Sequence, residues 1–358
     1  MIRIIIFDPS EQDKIGAFRG GGRVLQIFKE NLAGQAEFIS NLKNVSKNDT
    51  LIIPFWKPFE EPITNKKIAH KQHVIIFDVI PVKFTEHFPP GIRGSIALWK
   101  NKRALKHYDK IITISEHSKR DIMKYLGIEN DKVDVVYPTT QKVFFDLKNE
   151  IGDLKINSQI SPPAGGLKSP FALYVGDANW NKNLVNLAKA IKQANMTCLF
   201  VGKEFEILKS ANRRIQDDEK NTNYKHPELE EFHQFIQEVR NDSRFVFPGY
   251  VSDETLISLY QSAVCNVLVS RDEGFGLSYL EASTQKCPSV LSDIPVFHEV
   301  AEDTAIFADP HDPAKIAEAI QKYFIDDSFR KKMGEKAYER SKKFSPEEFR
   351  KQITSKIL

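Results

Sequence analysis

Short β-branched apolar runs alternate with helix-period stretches along the whole chain. In the first part the runs fall at 2–7, 50–54, 73–78, 110–114 and 133–136, with helical periods between them at about 23–31, 96–107 and 116–126. In residues 151–170 the pattern stops, and nine of those twenty residues are Gly, Pro or Ser. It restarts at once, with strand runs at 171–175, 197–201, 244–247, 264–269 and 289–291, and helical periods at 184–193, 227–240, 253–262, 278–285 and 313–324. This alternation of β-branched runs with helical periods is the signature of parallel βαβ units, and so predicts parallel sheets flanked by helices. The expectation is an α/β protein of two doubly wound domains, 1–150 and 171–327, joined by a linker at 151–170. A Lys-rich helical tail over 328–358, broken near Ser345 and Pro346, is expected to pack back toward the first domain. The polar segment 203–226 reads as an exposed excursion.

Composition narrows the class. The 358 residues are 41% hydrophobic and 28% charged, with 17 Gly and 18 Pro, so disorder and fibrous repeats are excluded and a core needs no staples. The three cysteines, Cys198, Cys265 and Cys287, lack C-x-x-C spacing and neighbouring histidines, which disfavours a disulfide framework and a structural zinc. Only four consecutive apolar residues, 4–7, precede the acid at Asp8, too few for a signal-peptide core or a membrane span; the expected location is the cytoplasm.

The net charge of +3 is unevenly spread. Residues 1–150 carry 24 Lys and Arg against 18 Asp and Glu, leaving 27 against 30 in the remainder. The densest basic stretch, 93–124, has nine cations against three acids and includes Ile96, Leu98, Trp99 and Leu105. It reads either as a solvated helix face or as a surface meeting anionic lipid at the inner membrane face. No aromatic-and-basic recognition motif accompanies it, so nucleic acid is not an expected partner.

Two loops have the composition of an anion site. Gly20, Gly21 and Gly22 follow the first strand and precede the helix expected near Arg23, where a close backbone approach and free amides suit a phosphate. The segment from Ser270 through Arg271, Glu273, Gly274, Phe275, Gly276, Leu277 and Ser278 to Glu281 follows a strand and opens a helix. Its glycines let the backbone close on a ligand, its helix start offers amides, and its two carboxylates can accept from hydroxyls. A sugar diphosphate with a ribose attached has that distribution of groups.

That segment resembles the E-x7-E signature of retaining family-4 glycosyltransferases of the GT-B fold, with Glu273 and Glu281 as its carboxylates. Further landmarks of the family stand in order around it. They are Asp78-Val79-Ile80-Pro81 with His87-Phe88-Pro89, Ile112 to Glu116 with Ser118 to Asp121, Tyr174-Val175-Gly176 followed by Lys182, Phe247-Pro248-Gly249 with Leu259-Tyr260, and Leu291-Ser292-Asp293 with His298-Glu299. Departures are Asp177, where many relatives have Arg, Ser278 for a common Pro, and Phe77 in place of a His before Asp78. Arg271 and Lys203 are therefore the candidates for a second phosphate cation.

The resemblance implies two Rossmann-like domains facing across a cleft, an N-terminal acceptor domain and a C-terminal nucleotide-sugar domain. Glu273 is expected to hold the transferred sugar, Lys182 to bind the diphosphate, Glu281 to accept from the ribose, and Asp78 and Ser115 to serve the acceptor side. Gly176 completes the donor turn. The implied reaction is transfer of a hexose, mannose first, from GDP-mannose or a UDP-hexose to a glycan or lipid-linked acceptor in cell-surface polysaccharide synthesis. No D-x-D triplet occurs in the sequence, so no metal and no other cofactor is expected. Two alternatives stay open, a nonhydrolysing sugar-nucleotide epimerase and a non-catalytic nucleotide-sugar-binding scaffold.

Overall fold

The structure, a computed structural model, describes residues 3–9, 20–146, 170–209 and 227–357. The chain divides into two compact units, Met1–Lys142 with Phe344–Leu358, and Val143–Lys343. The expected linker lies outside the described residues apart from Pro170, as does most of the excursion at 203–226.

The first unit is built on six parallel strands, β1 (Ile4–Phe7), β2 (Glu37–Ile39), β3 (Thr50–Ile53), β4 (Lys71–Ile75), β5 (Lys110–Thr113) and β6 (Val133–Val135), in the order β2-β1-β3-β4-β5-β6. Successive residues feed opposite cores. Ile5, Leu51 and Ile53 join one apolar cluster, while Ile6 and Ile52 join another with Val24, Leu25 and Phe28 of the helix Gly20–Leu32. Both faces are covered, which is why β1 and β3 are apolar on successive residues. The helix Pro346–Lys356 closes the second cluster, with Phe349 edge-on to Phe28 at 5.4 Å and Arg350 donating to Asn31 Oδ1 at 3.1 Å.

The second unit repeats the plan with β7 (Phe171–Val175), β8 (Thr197–Val201), β9 (Phe245–Gly249), β10 (Cys265–Leu268), β11 (Ser289–Ser292) and β12 (Ile306–Ala308). These six strands are also parallel, in the order β12-β11-β10-β7-β8-β9. Chain order reverses between β7 and β10. In doubly wound sheets, ligands bind outside the carboxyl ends of the strands at such a reversal, because the flanking loops there part to opposite faces.

Several expectations are corrected. The strands β2 and β12 were not expected; each is three residues long and sits at a sheet edge, paired on one side only, so neither needs a β-branched run. Gly20 to Gly22 are not a loop before a helix but the first turn of the helix Gly20–Leu32. The tail is two helices, of which Asp327–Ser341 belongs to the second unit and only Pro346–Lys356 to the first. Ser345 ends one course and starts the other, accepting from the Glu348 amide while Pro346 takes the first-turn position that needs no donor. The segment after β8 is not wholly exposed, since Phe205 is completely buried against Tyr174, Phe200 and Phe235.

All three cysteines are free and buried in the second unit, and burial pushes their thiols up, that of Cys287 to about 12. In the first unit His73 of β4 is 3% exposed, with neither ring nitrogen hydrogen-bonded, and burial lowers its pKa from 6.5 to about 4. The folded state thus keeps the neutral ring while the unfolded chain takes up a proton. Stability contributed by this residue is fully present above pH 6.5 and lost as pH falls toward 4, by about 3 kcal/mol. Urea unfolding of the first unit across that window should show this loss, and His73→Leu should flatten it; an unchanged acid limb in the variant would contradict the assignment.

Candidate active site

The loops that follow β7 and β10 are neighbours because those strands pair, Cys265 with Ala172 and Asn266 with Leu173. After β7 the chain turns at Gly176, where the Tyr174 hydroxyl donates to the Asp177 carbonyl at 2.6 Å. Burial holds that phenol well above its ordinary range, so it stays a donor. The turn also leans on β8, since a Cβ at Gly202 would stand 2.2 Å from the Gly176 carbonyl oxygen. Position 202 therefore excludes any side chain.

A 3-10 turn, Trp180–Lys182, follows and ends on Asn183 in the left-handed conformation (φ 59°, ψ 38°), which Asn tolerates better than most residues. Asn183 is completely buried. Its amide donates to the carbonyls of Val269 at 2.9 Å and Pro310 at 2.7 Å, tying the loop after β7 to those after β10 and β12. Asn181 adds a second tie, donating to the Asp272 carbonyl at 3.1 Å while its own carbonyl accepts from the Arg271 amide at 2.7 Å. The two loops are stitched into one body.

Between these ties Lys182 meets Glu273. The ammonium lies 2.6 Å from Oε1, which also accepts from Ser270 Oγ at 2.8 Å, and both charged side chains are largely buried. Among the described residues nothing bonds to Oε2, so one oxygen of Glu273 is fixed and the other is open to a hydroxyl. The Glu273 amide in turn donates to Asp272 Oδ1 at 2.9 Å. A carboxylate and an ammonium are thus presented together from a loop whose backbone is pinned at four points.

The chain then passes Gly274 and the buried Phe275 to Gly276, the N-cap of the helix Leu277–Thr284. Gly276 has φ 95°, and a Cβ there would press to 2.7 Å on the Phe297 ring. Tyr279 bonds back to the Gly276 carbonyl, and helix geometry leaves the Leu277 and Ser278 amides without an intrahelical acceptor. One turn further in, Glu281 is 3% exposed and its Oε2 accepts from the Tyr260 hydroxyl at 3.1 Å. A mid-helix carboxylate is ordinarily solvated; here Glu281 is enclosed and held by the Tyr260 hydroxyl.

Three expected residues are engaged differently. The Arg271 guanidinium is held by its own protein: it chelates Glu231 at 3.1 Å, bonds the Trp180 carbonyl and lies over the Trp180 ring at 5.0 Å. In the first unit Ser115 is completely buried, and its hydroxyl caps the helix Glu116–Leu126 by accepting from the Ser118 amide at 2.9 Å. Asp78 Oδ1 accepts from the Ile80 amide at 3.0 Å, holding the turn Ile80–Lys83. Both still stand at the carboxyl ends of adjacent strands, β4 and β5. Gly21 and Gly22 lie in a helix turn, as described above. Sequence reasoning missed Asn183, Asn181 and Gly202, and it named Ser270 and Tyr260 only as parts of motifs, without a role; of the three missed, only the Asn after Lys182, beside a glycine turn, gave a readable sign.

Residues 158–340, just over half of the chain, match the family description "Glycosyl transferases group 1". The chain belongs to that family. Among curated relatives of this group 1 glycosyltransferase, the serotype-specific mannosyltransferase WbdA of Escherichia coli is 25% identical over 258 residues, covering 69% of this chain and 29% of the relative. The O-antigen chain mannosyltransferase RfbU of Salmonella typhimurium is 25% identical over 262 residues, covering 71% and 61%. The chain thus spans less than two thirds of the length of either. Of solved structures, sucrose-phosphate synthase from Thermosynechococcus elongatus superposes with a TM-score of 0.67 at 17% identity over 99% of this chain and 98% of that one. Anabaena Alr3699/HepE in complex with UDP and glucose gives 0.64 at 13% identity over 99% of each. These likenesses establish the GT-B fold expected from the sequence.

Two substitutions test the site's construction. Gly276→Ala introduces the Phe297 contact and an unfavourable φ, and should cost about 2–3 kcal/mol, read as a melting temperature lower by several degrees. Tyr260→Phe removes one bond to Glu281 and should leave the fold intact while weakening nucleoside-diphosphate binding several-fold in calorimetry.

Proposed function

We propose that this glycosyltransferase moves a hexose, with mannose the first candidate, from a nucleoside-diphosphate donor to a glycan or lipid-linked acceptor with retention of anomeric configuration. The observation that carries the reading is the buried Lys182–Glu273 pair beside the start of the helix Leu277–Thr284, at the chain reversal between β7 and β10. Mannose comes first because two relatives are named as mannosyltransferases; UDP-hexoses stay on the panel because a structural neighbour holds UDP.

In this reading the donor's diphosphate lies against the Leu277 and Ser278 amides and the Lys182 ammonium. As the bond between the anomeric carbon and the diphosphate oxygen breaks, negative charge grows on the departing diphosphate. Fixed positive groups there lower the barrier without reorganising. Glu273 Oε2 accepts from hydroxyls of the transferred sugar, and Glu281 accepts from the ribose. The acceptor oxygen bonds to the anomeric carbon on the face the diphosphate leaves, and its proton passes to a diphosphate oxygen, so no protein base is needed. Asp78 is the acceptor-side candidate. The reaction is proposed to need neither a metal nor another cofactor, and to take place in the cytoplasm.

The pair also explains how the loops keep their shape, since each charge neutralises the other until a diphosphate competes for the lysine. Lys182→Ala should lower turnover about a hundredfold, and it should also destabilise the second unit because Glu273 loses its buried counter-charge. Glu281→Ala should weaken nucleoside-diphosphate binding with turnover at saturating donor little changed. The direct test is a panel of GDP- and UDP-hexoses with and without glycan and lipid-linked acceptors, followed by NMR of the product's anomeric centre. Transfer with retention supports the reading, whereas donor interconversion without acceptor indicates an epimerase. Tight diphosphate binding without turnover or donor hydrolysis indicates a scaffold.

A further inference from the structure

The helix Gly91–Ala104 in the first unit carries its residues the wrong way round for a globular protein. Its buried face consists of Gly94, Ala97, Asn101 and Ala104, small or polar residues. Gly94 permits a close approach, since a Cβ there would lie 3.2 Å from Phe59, and the Asn101 amide reaches the carbonyls of Lys57, Pro58 and Glu60 at 3.2, 3.3 and 2.7 Å. Leu98 packs against the core, but the other three large apolar residues point outward. Ile92 is 83% exposed, Ile96 50% and Trp99 58%, at the i, i+4, i+7 spacing that makes one stripe.

Charge frames this stripe. From Gly91 to Tyr108 the sequence has five cations and no acid. At 100° per residue Arg103 continues the stripe beyond Trp99, its guanidinium 4.8 Å from the Trp99 ring, while Arg93 and Lys100 flank it on one side and Lys102 on the other. Lys100 and Lys102 are held by Glu61 and by the Tyr125 carbonyl, so the outermost charges are Arg93, Arg103 and Lys106. No described helix is long and apolar enough to cross a membrane. An exposed apolar stripe with an indole, on a helix that carries cations and no acid of its own, fits a surface that is apolar beneath and anionic at its rim.

We infer that the outer face of the helix Gly91–Ala104 docks on an anionic lipid bilayer, with Ile92, Ile96 and Trp99 at the depth of the headgroups and Arg93, Arg103 and Lys106 against lipid phosphates. The inference goes beyond the transfer reaction and stands without it, because vesicle binding needs neither donor nor acceptor. It also narrows the basic stretch 93–124 to one helix face.

The test uses the full chain with sedimentable vesicles of phosphatidylcholine alone and of phosphatidylcholine mixed equally with phosphatidylglycerol. The wild type should sediment with the mixed vesicles, less so as salt is raised, with a blue shift of tryptophan emission that disappears in Trp99→Phe. I96E/W99E should lower partitioning at least about tenfold and R93E/R103E by a similar factor with loss of the salt dependence. Both should keep the wild-type circular dichroism and nucleoside-diphosphate affinity, since these side chains lie outside the core. Unchanged partitioning of I96E/W99E overturns the proposal. So does light scattering that shows a dimer in the wild type and a monomer in I96E/W99E, which would assign the stripe to a second copy of the chain.

Discussion

A buried ammonium and carboxylate, Lys182 and Glu273, organise the second unit. They come from loops ninety-one residues apart in sequence, and they meet because β10 pairs with β7 rather than with β9. A buried ion pair contributes little to stability by itself, but it makes any other arrangement of the two loops costly, because separating the partners strands a charge away from water. Asn183 and Asn181 turn that preference into fixed geometry, bonding across to the backbone on the far side of the pair. The groups these loops present are therefore held by the fold itself, and their ordering entropy is settled at folding.

The fold was legible because parallel strands joined by helices leave a clear trace, short β-branched runs separated by helical periods. What escaped was the margin. The edge strands β2 and β12 bury less and pair once, so Glu37–Ile39 and Ile306–Ala308 carry no run to read. The break in the tail at Ser345 and Pro346 was legible, but composition does not report which sheet a helix packs on; that choice is made by Phe349 and Ile353 reaching the cluster around Phe28.

The site was legible as residues and not as bonds. Glu273, Glu281 and Gly276 stand out from spacing and residue type, Lys182 and Gly176 from the family resemblance, and the structure pairs Lys182 with Glu273 and Glu281 with Tyr260. Arg271 and Ser115 stood out equally, yet one is bound to Glu231 and the other caps a helix. A cation or hydroxyl in a motif has the same letter whether it serves a ligand or its own backbone, and only the partner's position decides. Glu231 lies forty residues away on the helix Pro227–Val239, with no spacing to announce it.

The cysteines carry a different consequence. All three are buried in the second unit, and burial holds each thiol in its protonated, unreactive form at neutral pH. The folded protein is in effect already cysteine-free toward alkylating probes. A single cysteine placed on either unit becomes the sole reactive handle, so a pair, one per unit, can carry donor and acceptor dyes without first stripping the native thiols from the core. The separation of the two units during turnover is then open to direct distance measurement in an otherwise native chain.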